Sequence, residues 1–64
     1  MINQIKELRT KFKLTQENLA HKVGVTRQTI IAIEKNYYVP SLALALKIAA
    51  VFKTSVENIW TKKK

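Results

Sequence analysis

The sequence predicts an all-α domain of five helices, and three observations carry that prediction. Apolar residues recur at helical spacing along most of the 64 residues, with no sustained alternation and no Asn-Gly or Asp-Gly hairpin turn. Ser or Thr stands just before four of the periodic runs, where a helix N-cap belongs. The only glycine, Gly24, falls between two short amphipathic runs that are too close together for anything but two helices joined by a tight turn.

The first helix is expected from about Asn3 to Phe12, with Ile5, Leu8 and Phe12 at i, i+3 and i+7. The second follows Thr15 as its cap and stops at Val23, with Leu19, Ala20 and Val23 on one side. Gly24 then suits the left-handed position at a helix C-terminus. Thr26 caps the third helix, Arg27 to about Lys35, whose Ile30 and Ile33 fix the side that faces the core. The fourth helix begins after Pro40 with Ser41 as cap and continues to about Phe52. On a helical wheel Leu42, Ala45, Leu46, Ala49 and Phe52 form its broad apolar stripe, with Ile48 at the edge. Leu44 and Val51 are expected on the opposite side, near Ala43, Lys47 and Ala50, where apolar residues suggest a subunit contact. The last helix, Val56 to about Thr61 with Ser55 as cap, is expected to be too short to bury both Ile59 and Trp60. Those two are therefore the first-ranked dimer-interface residues, ahead of Leu44 and Val51. Residues 1–61 read as one domain, and Lys62-Lys63-Lys64 as a basic disordered tail.

Composition narrows the function. Twelve Lys and Arg against four acidic residues give a net charge of +8, which favours a polyanionic partner. There are no cysteines and one histidine, His21, so no thiolate or His-cluster metal site is expected, and no cofactor. Four Glu and no Asp offer no acid/base or nucleophile constellation, so no catalytic residues are assigned. No apolar run is long enough to span a bilayer and Met1-Ile2-Asn3-Gln4 lacks a signal-peptide core. A cytoplasmic protein without membrane contact is the expectation.

Opposite Ile30 and Ile33, the third helix should present Gln28, Ala32 and Lys35, flanked by Ile31 and by Arg27 at its start. That face suits a DNA major groove. Gln bonds adenine, and Arg bonds guanine, through paired hydrogen bonds. Ala32 permits close approach, and Ala32 or Ile31 fits a thymine methyl. Thr29 sits near the helix start, within reach of a phosphate or base. Gln16, opening the second helix beside free backbone N–H groups, suits a phosphate.

The runs Leu14-Thr15-Gln16-Glu17-Asn18-Leu19-Ala20, Val25-Thr26-Arg27-Gln28-Thr29-Ile30, Ile33-Glu34-Lys35-Asn36 and Tyr38-Val39-Pro40-Ser41-Leu42 resemble the Cro/CI (Xre) family of helix-turn-helix DNA-binding proteins. The resemblance covers about Ile5 to Trp60 and implies a lambda-repressor-like five-helix domain with the motif in helices 2 and 3. It implies phosphate contacts from Gln16 and from the loop Asn36, Tyr37, Tyr38. It implies base-edge contacts from Arg27, Gln28 and Ala32, with Thr26 and Thr29 nearby. It also pairs Arg9 with Glu34 in a structural ion pair. Asn36 stands where relatives often carry Gly, Tyr37 where Lys or Arg is frequent, and Ala43 and Ala50 where charges are common. The expected function is a sequence-specific double-stranded-DNA-binding transcriptional regulator. It is read as a repressor, a homodimer on a palindromic operator, with no small-molecule effector. Two alternatives stay open: an antitoxin-type DNA-binding protein that also neutralises a partner, and a helical protein-interaction module that does not read DNA.

Overall fold

Why the chain turns where it does is visible at each helix end. The computed structural model describes residues 2–61 and contains α1 (Ile5–Lys11), α2 (Gln16–Val23), α3 (Arg27–Glu34), α4 (Leu42–Val51) and α5 (Val56–Ile59). Thr15, Thr26, Ser41 and Ser55 are the N-caps of α2 to α5, and each side chain accepts a hydrogen bond from the backbone N–H three residues on. At α2 the cap is reciprocal, since Asn18 Oδ1 accepts from the Thr15 N–H at 3.3 Å.

The C-termini share one device. After α1, α2, α3 and α4 a single residue adopts positive φ: Lys13 (59°), Gly24 (77°), Asn36 (62°) and Lys53 (54°). In each case the next N–H reaches back to a carbonyl in the last turn: Leu14 to Arg9, Val25 to Ala20, Tyr37 to Ala32, Thr54 to Ala49, all at 2.8–3.1 Å. Asn tolerates this conformation, whereas the two lysines adopt it at a cost of about 1–2 kcal/mol. Lys53→Gly is therefore expected to stabilise the fold by about 0.5–1 kcal/mol, after allowing for glycine's greater freedom when unfolded. A thermal melt checks this as a rise of roughly 2–8 °C.

Ile5, Leu19, Ala20, Val23, Ile30, Ile33, Ile48, Ala49, Phe52 and Ile59 form one buried cluster. Phe12 closes its edge against Phe52, with ring centroids 5.4 Å apart and planes at 65°. Small Ala20 lies inside this cluster, where α2 packs on α3 and α4.

Four expectations need correction. Strands were not expected, yet Ile2–Asn3 and Trp60–Thr61 pair antiparallel, Ile2 with Thr61 and Asn3 with Trp60. A two-residue ladder has no periodicity to read, and it leaves the all-α class unchanged. It also explains why α1 starts at Ile5 and α5 stops at Ile59. The core-facing stripe of α4 is rotated toward Leu44 and Val51, which are half-buried against the cluster rather than opposite it. Leu42 and Leu46, placed in the stripe by the wheel, are 70% and 55% exposed. A helix reading Leu-Ala-Leu-Ala-Leu-Lys-Ile-Ala-Ala-Val is apolar nearly all round, so the wheel has little contrast from which to set its phase. Ile59 is fully buried in this chain's own core and is not available as an interface residue. It is buried because α5 packs on α4 and the terminal ladder, and Ile59 joins the core cluster that also holds Ile5. The tail assigned to residues 62–64 lies outside the described residues.

Candidate nucleic-acid interface

The geometry starts from an anchor that ties three helices together. Arg9 of α1 donates from Nε to Glu34 Oε2 at 2.6 Å and from a terminal nitrogen to Glu34 Oε1 at 3.3 Å. Its other terminal nitrogen donates to the Leu14 carbonyl at 3.1 Å. Both ionic side chains are largely buried, with 13% and 10% of their surfaces exposed. Planar guanidinium is suited to this, since it meets the carboxylate on two sides and still reaches a backbone carbonyl.

Gln16, the first residue of α2, joins the same network. Its Nε2 donates to Glu34 Oε1 at 3.2 Å, and the side chain is half-buried. Sequence reasoning placed Gln16 beside the backbone amides at the α2 start, and those amides do precede the first intrahelical bond, Leu19 to Thr15. The link to Glu34 was not foreseen. The two residues are 18 positions apart, and no local pattern reports their proximity.

With Ile30 and Ile33 buried, the remaining residues of α3 are exposed or half-buried. Arg27, Gln28 and Lys35 are exposed, while Ile31 and Ala32 are half-buried. Thr26 is partly committed to structure: its hydroxyl accepts the Thr29 N–H at 3.3 Å and lies 3.1 Å from the Thr29 hydroxyl. Asn36, Tyr37 and Tyr38 follow the end of α3 and are all exposed, Tyr37 by 82%. A shallow depression bounded by Arg9, Leu14, Thr15, Gln16, Glu17 and Arg27 joins the α2 start to the α3 start. Gln16 and Arg27 share that depression, Gln28, Ala32 and Lys35 follow at i, i+4 and i+7 along α3 and its C-cap, and the 36–38 loop continues from its end. The Glu34 carboxylate is paired with Arg9 and accepts from Gln16.

The interface residues proposed elsewhere fall apart as a set. Trp60 is half-buried against the core, beside an apolar groove of about 300 Å³ with Val39, Pro40, Leu42, Ala45 and Val56. Leu44 and Val51 belong to the core side of α4, away from this groove. Exposed apolar residues lie instead at Val39, which sequence reasoning passed over, and at Leu42 and Leu46, which the wheel placed in the core-facing stripe. Among the described residues no group of three or more His, Cys, Asp or Glu side chains is arranged to hold a metal ion. No helix of the described residues is long and apolar enough to cross a membrane.

Comparison with known proteins agrees with this geometry. A family model described as helix-turn-helix, HTH_3, matches residues 5–59. An uncharacterized HTH-type transcriptional regulator of Bacillus subtilis, YgzD, is 55% identical over 60 residues, covering 94% of this chain and 91% of its own. A counterpart from Methanocaldococcus jannaschii, MJ0272, is 57% identical with the same coverage. Among solved structures, the N-terminal DNA-binding domain of SinR from Bacillus subtilis superposes with a TM-score of 0.81 at 31% identity, over 94% of this chain and 88% of that one. A SinR–SinI complex matches with a TM-score of 0.79 at 36% identity, over 89% of this chain and 57% of that one.

Proposed function

The chain belongs to the HTH_3 helix-turn-helix family, and we propose that it is a sequence-specific double-stranded-DNA-binding transcriptional regulator. The observation that carries this reading is the outward face of α3. Arg27, Gln28 and Lys35 stand exposed on a helix whose opposite side is locked into the core and whose base is held by the Arg9–Glu34–Gln16 network. An α-helix so presented fits the major groove, where Arg27 and Gln28 have the donors and acceptors to read guanine and adenine. Gln16, Lys35 and the Asn36–Tyr38 loop flank it as phosphate ligands, and the +8 charge supplies sequence-independent attraction.

Selection of bound sites from random duplex DNA tests the reading directly. Recovery of a consensus is expected, and enrichment no better than background overturns it. On the selected site Arg27→Ala and Gln28→Ala are each expected to cost about 1–3 kcal/mol and to relax preference at one position per half-site, without altering the thermal melt. Equal losses on specific and random DNA would assign these two side chains to phosphates instead.

The regulator is further read as a homodimeric repressor on a palindromic operator, since occupancy of a promoter site is enough to repress. Two α3 helices would then enter successive major grooves about 34 Å apart. The face that supports pairing is the groove beside Trp60, lined by exposed Val39 and Leu42, with exposed Leu46 four residues on from Leu42 along α4. A two-fold contact uses the same patch on both copies, and an exposed apolar surface of this kind suits it. Among the described residues the one charged residue lining the groove is Glu57, whose carboxylate suits the approach of a second basic copy. Leu46→Lys is expected to leave the melt within about 0.5 kcal/mol of wild type, because the side chain is exposed, while halving the sedimenting mass and weakening operator binding. Wild-type protein that sediments as a monomer at micromolar concentration refutes the DNA-independent dimer.

A further inference from the structure

Asn3 sits near the start of the chain, yet its side chain ends on the last turn of α3. Its Nδ2 donates to the Ile33 carbonyl at 2.9 Å and to Asn36 Oδ1 at 3.1 Å, while its Oδ1 accepts from the Ile5 N–H at 3.3 Å. Ile33 carries one of the carbonyls that a helix C-terminus leaves without an intrahelical donor, and Asn36 is the left-handed residue that turns the chain out of α3. Both partners of the amide therefore belong to the turn that aims the Asn36–Tyr38 loop.

The backbone of Asn3 is itself held. It pairs with Trp60 in the terminal ladder, and the Gln4 N–H donates to the Ile59 carbonyl at 2.9 Å. The α3 end does not need Asn3 in order to close, because the Asn36 and Tyr37 N–H groups already bond back to Ile33 and Ala32. The side chain is also outside the buried cluster. What the extra amide adds to a turn already closed is a fixed direction.

We propose that Asn3 is a positioning residue for DNA binding. Through Ile33 and Asn36 it holds the loop that follows the reading helix at the level of the phosphate backbone, with the terminal ladder as its mount. The proposal rests on the DNA-binding reading above.

Asn3→Ala removes the donor without changing charge, and Asn3→Ser keeps an acceptor for the Ile5 N–H should the alanine variant fold poorly. The probe is a random-sequence duplex of several helical turns, titrated at a series of salt concentrations and at a temperature where every variant is folded. Both Asn3 variants are expected to bind roughly 5- to 10-fold more weakly, and the slope of log K against log salt is expected to flatten by about one phosphate contact. Ile48→Val, a core change on α4 that removes no hydrogen bond to the loop, is expected to lower the melting temperature but to keep wild-type affinity and slope. Wild-type affinity and slope in the Asn3 variants overturn the proposal, as does an equal loss in Ile48→Val. Failure of the wild-type protein to bind any duplex sinks the DNA-binding reading instead.

Discussion

Glu34→Ala is expected to lower stability by about 3–5 kcal/mol, which for a domain of this size is close to the whole margin. The cost is not the worth of one ion pair. The substitution leaves the Arg9 guanidinium in a largely buried site, with the Leu14 carbonyl as its remaining partner, and takes away the acceptor of Gln16. Arg9→Ala is expected to cost a similar amount, because Glu34 is then left with Gln16 alone. Arg9→Lys is a poor substitute, since an ammonium group cannot meet both carboxylate oxygens and Leu14 in this geometry. Exchange of both residues for apolar ones of similar volume, Arg9→Met with Glu34→Leu, is expected to recover most of the loss, as no buried charge remains. Urea denaturation of the single and double variants measures the coupling. Additive losses would show that the network holds the helices together no better than its separate parts.

The same residues show what a sequence makes legible. Caps are local chemistry, so Thr15, Thr26, Ser41 and Ser55 are readable from their place before apolar runs, and each accepts the expected backbone bond. Gly24 is readable for the same reason, being the residue type that left-handed geometry favours. Lys13 and Lys53 adopt that geometry with no signature, because the backbone bonds that close each turn, Leu14 to Arg9 and Thr54 to Ala49, hold it on a residue with no preference for it. The terminal ladder is two residues long and joins opposite ends of the chain, so neither propensity nor periodicity announces it.

Legibility of the candidate site divides along the same line. Burial of Ile30 and Ile33 sets which side of α3 faces outward, so the exposure of Arg27, Gln28 and Lys35 follows from helical spacing alone. The attachment of Gln16 to Glu34 and of Asn3 to the α3 turn does not follow, since each joins residues far apart in sequence. The faces of α4 are hardest of all. With apolar residues nearly all round, the direction of that helix is decided by what packs on it, and Leu42 and Leu46 end outside while Leu44 and Val51 turn in.

Ile30→Ala is expected to separate holding the reading helix from reading with it. Ile30 is fully buried in the cluster that seats α3, so truncation removes three methyl or methylene groups and leaves a cavity, at a cost of about 2–5 kcal/mol. None of the lost atoms touches the outward face. The folded fraction of the variant therefore keeps the same Arg27 and Gln28 presentation, and its apparent affinity falls only in proportion to the fraction folded. Every DNA sequence should lose by the same factor, and a stabilising osmolyte should restore the loss. Gln28→Ala should behave in the opposite sense, with an unchanged melt, a loss confined to specific sites, and no rescue by osmolyte. Binding to the selected site and to random duplex, measured with and without trimethylamine N-oxide, distinguishes the two. If Ile30→Ala relaxes sequence preference while folded, the core side of α3 is tuning the angle at which the helix meets the groove, and α3 has no separate scaffold and reading faces.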